Sequence, residues 1–276
     1  MSKPSLSSFF SSPVLRKCAR FFGVSQIGKK VYFYLFAPAN CIISITIGGI
    51  IARFYAKNYG SLIYLTKTIY RKEAEEIEVI ATLIDAVKEG DICYDIGAFI
   101  GLHAIFLSKK AGENGKVVSF EPYSLHRHAL QDNIMLNNVK NISVIDVALG
   151  NKTETGLITG DDFTIHTISY AKQGPLDERV TVVIGDDLVK EKHLPLPNVV
   201  KIDVDGFEYA TLKGLENTLK NPTCRFLSCE VHPFLLPAGV TQEMIIDLVK
   251  SFGFSNVKIY NLKDVFHIFC KKFTFC

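Results

Sequence analysis

Two short stretches combine acidic residues with glycine, and each lies between a predicted buried strand and a predicted helix. Residues 95–101 read Asp-Ile-Gly-Ala-Phe-Ile-Gly, and residues 201–208 read Lys-Ile-Asp-Val-Asp-Gly-Phe-Glu. In an open parallel sheet, ligands bind at the carboxyl ends of the strands, where the N-termini of the following helices converge. The two stretches therefore predict a nucleoside cofactor beside a polar reaction site.

The first stretch has the residue types of a cofactor loop. Gly97 would let the chain turn sharply and approach a ligand, and Gly101 would let the next helix begin close to the sheet. Glu121 ends the second strand 24 residues after Gly97, where an acidic side chain can accept hydrogen bonds from both ribose hydroxyls of an adenosine cofactor. Pro122 then fixes the chain direction. The alternative is that the two glycines only permit a tight turn between strand and helix.

The chemistry of this loop favours a cofactor with an amine over one with a pyrophosphate. The glycine spacing is GxxxG and not the GxGxxG of dinucleotide sites. Asp95 places a carboxylate where a pyrophosphate would have to approach, and that carboxylate could instead receive an ammonium group. S-adenosyl-L-methionine is a cofactor with these properties.

The second stretch offers candidate catalytic groups. Asp203 follows an apolar strand, where a carboxylate is costly unless it has a partner, and Lys201 lies on the same face two residues earlier. One interpretation of Asp205 is that it caps the next helix, with Glu208 in its first turn. Because capping explains two of these three acids, we predict no metal ion bound by Asp203, Asp205 and Glu208.

Removal of a proton from an acceptor requires a base within hydrogen-bonding reach. The candidates are Asp203 and His232, each at the end of a strand, with Lys201 orienting Asp203. An unperturbed imidazole titrates in the useful range. The alternative for His232 is a structural histidine that precedes Pro233.

Hydrophobic periodicity predicts alternating strands and helices, which is typical of a parallel sheet with helices on both faces. The predicted strands are 92–96, 117–120, 142–147, 181–184, 199–204, 226–231, 257–260 and 265–270. The predicted helices are 71–88, 102–111, 124–137, 208–219 and 241–252. The last two strands have no helix between them, so one edge is expected to be antiparallel. The polar segment 150–178 is expected to border the site.

The N-terminal region differs from the rest in charge. Residues 1–72 contain eleven Lys or Arg and no acid, which leaves 20 basic and 28 acidic residues and a net charge of −8 in the remaining 204. We expect two domains, a basic extension over 1–70 and a catalytic domain over 71–276. The extension is predicted to hold a helix over 15–35 and a hairpin that turns at Gly48-Gly49. A membrane span over 31–52 is the alternative, and residues 1–23 also resemble a transit peptide.

The chain resembles the FkbM family of S-adenosylmethionine-dependent methyltransferases. The resemblance covers about residues 70–270 and rests on both stretches, on residues 120–122 (Phe-Glu-Pro) and on 230–232 (Glu-Val-His). Asn133, Asn137, Leu212 and Gly214 also match. The family usually has Asn at the position of Phe99 and Glu at the position of Asp205.

This resemblance implies a Rossmann-like class I methyltransferase fold with a seven-stranded, mostly parallel sheet and transfer of a methyl group to a hydroxyl of a sugar, lipid or secondary metabolite. It implies cofactor contacts from Asp95, Gly97 and Glu121, to which we add the neighbouring Ala98, Gly101 and Pro122. The expected partner is a small-molecule, glycan or lipid acceptor.

Two other function classes fit parts of the sequence. One is a nicotinamide-dependent oxidoreductase, which the absence of GxGxxG disfavours. The other is a non-catalytic, membrane-associated binding protein in which the basic region 1–72 contacts anionic lipid. Nucleic acid is a disfavoured partner because the body of the chain is acidic. Seven cysteines without a CxxC pair fit a reducing compartment and a cytoplasmic protein, peripheral to a membrane if the basic region binds lipid.

Overall fold

The computed structural model describes residues 24–70, 75–158, 168–169, 177–261 and 265–272. The helices are α1 (Val24–Phe36), α2 (Tyr59–Tyr70), α3 (Glu75–Ala86), α4 (Leu102–Ala111), α5 (Ser124–Leu136), α6 (Gly185–Glu191), α7 (Glu208–Gly214), α8 (Glu216–Lys220) and α9 (Gln242–Ser251). The strands are β1 (Ile42–Ile47), β2 (Ile50–Tyr55), β3 (Ile92–Ile96), β4 (Lys116–Phe120), β5 (Ile142–Ile145), β6 (Ala148–Gly150), β7 (Glu154–Ile158), β8 (Ile168–Ser169), β9 (Glu178–Ile184), β10 (Val199–Ile202), β11 (Phe226–Val231), β12 (Asn256–Asn261) and β13 (Phe266–Lys271).

A seven-stranded sheet in the order β12-β13-β11-β10-β3-β4-β5 organises the molecule. The pairs among β11, β10, β3, β4 and β5 are parallel, whereas β13 is antiparallel to both of its neighbours. The α/β class and the mostly parallel sheet are confirmed. The expected antiparallel edge is also confirmed: β12 and β13 form a hairpin at one edge of the sheet, and its second strand, β13, pairs with β11.

Helices cover both faces of this sheet because its central strands are apolar on both sides. On one face, Tyr94 and Ile202 belong to a core that also includes residues of α6, α7 and α9. On the other face, Cys93 and Val199 pack with residues of α3, α4 and α5. The buried strands end in polar loops at one edge, which is the edge that carries the predicted site.

Several boundaries differ from the predictions for local reasons. The predicted helix 208–219 is interrupted at Leu215, where α7 ends and α8 begins. A Cβ atom at Gly214 would lie 1.8 Å from the carbonyl oxygen of Gly150, so α7 packs directly against β6 there. Helices α2 and α6 were not predicted.

A second, four-stranded sheet in the order β6-β9-β7-β8 lies beside the main sheet. The predicted strand 181–184 is the end of β9 and belongs to this smaller sheet. Within the polar segment 150–178, residues 159–167 and 170–176 lie outside the described residues. The described part contributes Ile158 to the cleft at the strand ends, next to Ala148 and Leu149 of β6.

The N-terminal region contains the predicted hairpin, in which β1 pairs antiparallel with β2 around Gly48-Gly49. Its inner residues, such as Ile45 and Phe54, share a hydrophobic cluster with Phe106 of α4, so the hairpin packs on the body. The predicted helix 15–35 is observed from Val24 onward, and its first part lies outside the described residues. None of the helices in the described ranges is both long and apolar enough to cross a membrane. The division at residue 70 stays a prediction.

Two asparagines, one in α5 and one at its C-cap, join this hairpin to the body of the protein. The Asn133 amide accepts a hydrogen bond from the Tyr55 N–H and donates one to the Ile100 carbonyl, each at 2.9 Å. The Asn137 amide accepts from the Arg53 N–H at 2.9 Å and donates to the Arg53 carbonyl. Both side chains are buried and satisfy backbone groups at the free edge of β2, where no strand is paired.

We predict that Asn137→Ala lowers the free energy of unfolding by about 1–3 kcal/mol, because it leaves the partly buried backbone groups of Arg53 without their side-chain partner. Urea unfolding followed by circular dichroism measures the change. The control is Asn256→Ala at an exposed strand end, with an expected change within about 0.5 kcal/mol. Equal effects of the two substitutions would show that the amide does not anchor the hairpin.

Candidate functional site

A cleft of about 270 Å³ opens at the carboxyl ends of β3, β4, β10 and β11. It is lined at one end by the loop after β3 and by Glu121 and Pro122 after β4, and at the other end by Asp203, Asp205, Glu230 and His232. The two predicted stretches therefore border one cavity, as the parallel topology requires. We call the first part the donor end and the second part the acceptor end.

At the donor end, the loop after β3 is held by hydrogen bonds within the protein. The N–H groups of Gly97 and Ala98 donate to the carbonyl of Phe120 at 3.0 and 3.1 Å. The Phe99 N–H donates to Oε2 of Glu121 at 2.8 Å. These amides are already bonded, so the first turn of the loop does not offer them to a pyrophosphate.

Gly97 makes the predicted sharp turn and also has a second role. Its φ of 76° is in the left-handed region, and a Cβ atom would lie 1.8 Å from the carbonyl oxygen of Asp203. The close approach is therefore to the backbone after β10. Gly97 lets the two motif loops touch. A Cβ at Gly101 would meet the Leu130 side chain at 2.4 Å, so Gly101 allows a close approach between the start of α4 and α5, whereas a close approach to the sheet had been predicted.

Glu121 is buried and lines the cleft. Its Oε2 accepts from Phe99, its Oε1 accepts from the Tyr123 N–H at 3.0 Å, and Nδ1 of His126 lies 3.6 Å from Oε1. Each carboxylate oxygen can accept a second hydrogen bond, so the side chain is oriented and can still accept one from a ligand.

Aromatic side chains that the sequence analysis missed form one wall of the donor end. Phe99 packs edge to face against Tyr64 at 5.0 Å and against His126 at 4.4 Å between ring centroids, and Tyr123 packs against His126 at 4.8 Å. Tyr64 comes from α2 in the N-terminal region, and no local pattern pointed to it. Tyr123 and His126 begin the helix after Phe-Glu-Pro, which was a usable signal.

Lys201 connects the two ends of the cleft. Its Nζ donates to the Gly97 carbonyl at 2.9 Å and lies 3.4 Å from both Asp95 Oδ1 and Asp203 Oδ2. The predicted pair of Lys201 and Asp203 is present. Asp95 is completely buried behind the cleft wall and does not line the cleft, so its carboxylate faces Lys201 where an ammonium group of the cofactor was expected.

The pKa values of the two aspartates beside Lys201 are shifted in opposite directions. Burial raises the pKa of Asp95, and the attraction of Lys201 does not offset it. For Asp203, burial also acts to raise the pKa, but Lys201 and the imidazoles of His232 and His103 lower it overall. Asp203 therefore stays ionised in the cleft and can attract a cationic ligand.

At the acceptor end, Glu208 orients His232. Glu208 is completely buried, and its Oε1 accepts from Nδ1 of His232 at 2.8 Å and from the Gly206 N–H at 2.9 Å. Because the ring donates through Nδ1, Nε2 points toward Asp205 Oδ1 at 3.4 Å and Glu230 Oε1 at 3.6 Å. No catalytic role was predicted for Glu208 from the sequence. Only its position in the second motif could have indicated one.

Net attraction by carboxylates sets the charge of His232. Burial acts to lower its pKa, but the hydrogen bond with Glu208 and the charges of Asp203 and Asp205 raise the pKa above its usual value. His267 behaves differently: burial lowers its pKa to about 4, so it faces Glu230 at 3.4 Å as a neutral ring. His232 is the better proton acceptor of the two.

Asp205 does not cap α7, so the capping interpretation of this residue is excluded. The residue that caps α7 is Phe207, with no side-chain hydrogen bond, while Asp205 has a φ of 46°. Asp203, Asp205 and His232 each offer an atom within 4.8 Å of the others, so these three could hold a cation. Glu208, which the sequence grouped with them, instead supports His232.

We predict that Gly97→Ala disrupts the cleft, because the added methyl group would collide with the backbone of Asp203. We expect a loss of stability of several kcal/mol, above the ~1 kcal/mol for a left-handed residue alone. The control is Gly239→Ala, which has a φ of 86° and open space around it. Thermal unfolding of both variants measures the difference, and equal losses would contradict the close approach.

Comparisons with known proteins relate the chain to one family. The family model described as the methyltransferase FkbM domain matches residues 95–255. The hexuronic acid methyltransferase AglP of Haloferax volcanii is 32% identical over 170 residues, which are 60% of this chain and 66% of that protein. The match thus spans just under two thirds of that relative.

Two solved structures illustrate the similarity. The methyltransferase FkbM of Methylobacillus flagellatus has a TM-score of 0.48 at 15% identity, over 66% of this chain and 44% of that one. An S-adenosylmethionine-dependent O-methyltransferase of Thermotoga maritima has a TM-score of 0.45 at 11% identity, over 85% and 78% of the two chains. The family match includes both motif loops and more than half of the sequence, and the chain therefore belongs to the FkbM methyltransferase family.

Proposed function

We propose that this chain transfers a methyl group from S-adenosyl-L-methionine to a hydroxyl of a sugar. The observation that carries the proposal is the single cleft that joins an oriented Glu121 at one end to an oriented His232 at the other. The AglP relative, whose name states that it methylates a hexuronic acid, supports a glycan among the small-molecule, glycan and lipid acceptors that we considered.

The donor end fits S-adenosylmethionine better than a dinucleotide. When bound, this cofactor supplies a methyl group on a positively charged sulfur. The carboxylates of Glu121 and Asp203 suit ribose hydroxyls and a cationic ligand, whereas the amides of Gly97 and Ala98 are bonded to Phe120 and do not serve a pyrophosphate. We infer that Asp95 acts indirectly, by holding Lys201 beside Asp203.

The acceptor end provides a base for the hydroxyl proton. Methyl transfer to an alcohol forms an O–C bond and breaks the S–C bond, and the hydroxyl proton must leave. We infer that Nε2 of His232 accepts this proton, because Glu208 fixes Nδ1 as the donor. The negative charges around the ring then stabilise the imidazolium that forms, while Lys201 keeps Asp203 in place.

The proposal also includes the place of the enzyme in the cell. The basic region 1–72 has no acidic residue, and this charge supports a cytoplasmic enzyme that contacts an anionic membrane peripherally. Such contact would suit an acceptor that is part of a lipid-linked glycan.

We predict that S-adenosylmethionine binds the purified protein and that NAD does not, as measured by isothermal titration calorimetry. Glu121→Ala should weaken the binding of S-adenosylmethionine at least about tenfold, because ribose hydrogen bonds are lost. The control is Glu113→Ala, at an exposed turn away from the cleft, which should bind normally. Binding of NAD alone would favour an oxidoreductase, and binding of neither ligand would favour a non-catalytic protein.

We predict that His232→Asn lowers kcat by about 10²–10⁴-fold, which is typical for loss of a general base, with little effect on cofactor binding. Since the base must be neutral, wild-type kcat should rise with pH through a pKa above the usual value of 6.5. Glu208→Gln removes a charge that raises this pKa, so the rise should move to lower pH.

Methylation of a panel of uronic acid and neutral sugar glycosides, followed by mass spectrometry, supplies the assay. His128→Asn, on the exposed side of α5, is the matched control and should retain full activity. An unchanged pH profile in Glu208→Gln would rule out His232 as the titrating base. Loss of activity on chelation, with restoration by a divalent cation, would instead assign Asp203, Asp205 and His232 to a metal ion.

A further inference from the structure

Helix α1 exposes a cluster of large apolar side chains to solvent. The exposed fractions of Tyr34, Leu35 and Phe36 are 91%, 70% and 62%, and Val31 one turn earlier is also exposed. Single exposed apolar residues are ordinary on protein surfaces, but adjacent ones at the end of one helix form a patch that typically marks an interaction surface.

The opposite side of α1 fixes the helix on the body. Phe33 and Ala37 pack against the hydrophobic cluster that includes the hairpin. The ring of Tyr32 contacts Tyr59 of α2 edge to face, at 5.4 Å between centroids. Because these contacts anchor the helix, Val31, Tyr34 and Leu35 face outward on a fixed support. The ring of Phe36 contacts Tyr32 at 4.6 Å between centroids and is exposed at the border of this face.

The charge around this patch indicates what it binds. Lys29 and Lys30 precede the patch on the same helix, and Arg16, Lys17 and Arg20 precede that helix in the sequence. The first 72 residues contain no acid. Lysine and arginine beside exposed aromatic residues are typical of surfaces that enter the interfacial layer of an anionic bilayer, where the aromatic rings lie at headgroup depth.

We propose that α1 is the membrane-inserting surface of this protein, with Tyr34, Leu35 and Phe36 in the interface of an anionic membrane and Lys29 and Lys30 at the headgroups. The inference rests on the peripheral contact proposed above and names the surface that makes it. It does not depend on the chemistry of methyl transfer.

This surface has a short structural connection to the cleft. Helix α1 packs on α2 through Tyr32 and Tyr59, and α2 also supplies Tyr64, which lines the donor end and contacts Phe99. A membrane bound at α1 would therefore lie on the side of the molecule where α2 borders the cleft. That placement suits an acceptor carried by a lipid.

Fluorescence can test the insertion directly, because the natural chain contains no tryptophan. In the variant Tyr34→Trp, we expect a blue shift of the emission on addition of phosphatidylcholine vesicles that contain phosphatidylglycerol, and little shift with phosphatidylcholine alone. Met135→Trp, at an exposed position of α5, is the matched control and should show no shift with either vesicle. A shift in the control that equals that of Tyr34→Trp would overturn the assignment to α1.

Vesicle sedimentation of the full chain separates the possible failures. We expect Tyr34→Ser/Phe36→Ser to reduce binding to the anionic vesicles at least about tenfold, while Met135→Ser binds like the wild type. If the wild type does not sediment with anionic vesicles, both the peripheral contact and the α1 surface are wrong. If the double variant sediments like the wild type, only the α1 surface is wrong.

Two further readouts complete the test. Light scattering of the wild type and the double variant reports the oligomeric state, and a dimer that the double substitution dissociates would assign the patch to a second copy of the chain and overturn the proposal. Titration with S-adenosylmethionine should give equal affinities for both proteins, which shows that the double variant is folded.

Discussion

The ammonium group of Lys201 holds the candidate site together. It is buried from solvent between β3 and β10, where it contacts the Gly97 carbonyl and two carboxyl groups. A buried charge without partners is costly, and Lys201 is stable here because Asp95 and Asp203 surround it. The parallel register places Lys201 directly beside Asp95, so the same pairing that builds the sheet also brings the two motif loops together.

A steric constraint adds to this electrostatic one. The loop after β3 touches the backbone after β10, and only a residue without Cβ fits at Gly97. Gly206 is also confined, because a Cβ atom there would collide with Leu235. Two residues later, Glu208 holds His232 through Nδ1. His232, the proposed base, is therefore oriented by a carboxylate from the motif of β10, and both ends of the cleft depend on the contact between neighbouring strands.

The N-terminal region takes part in the cleft as well as in the proposed membrane contact. Backbone N–H groups of its hairpin donate hydrogen bonds to the side chains of Asn133 and Asn137. Its helix α2 places Tyr64 against Phe99. The region is thus attached by specific polar and aromatic contacts to the elements that form the donor end.

The sequence by itself determined several strands and helices of the main sheet and one local contact in the second motif. Strands 92–96 and 226–231 and helix 102–111 were predicted with their observed bounds, because short-range periodicity and glycine signals are strong there. The side chains of Lys201 and Asp203 were expected to meet because they are two residues apart on one strand. The family resemblance then selected the fold.

Only the tertiary structure decided which groups meet over long distances in the chain. The burial of Asp95 on Lys201, the pairing of Glu208 with His232 and the position of Tyr64 all join separate elements. The place of β13 inside the sheet is set by its partners β11 and β12. Such contacts depend on the packing of whole strands and helices, so the local residue pattern does not predict them.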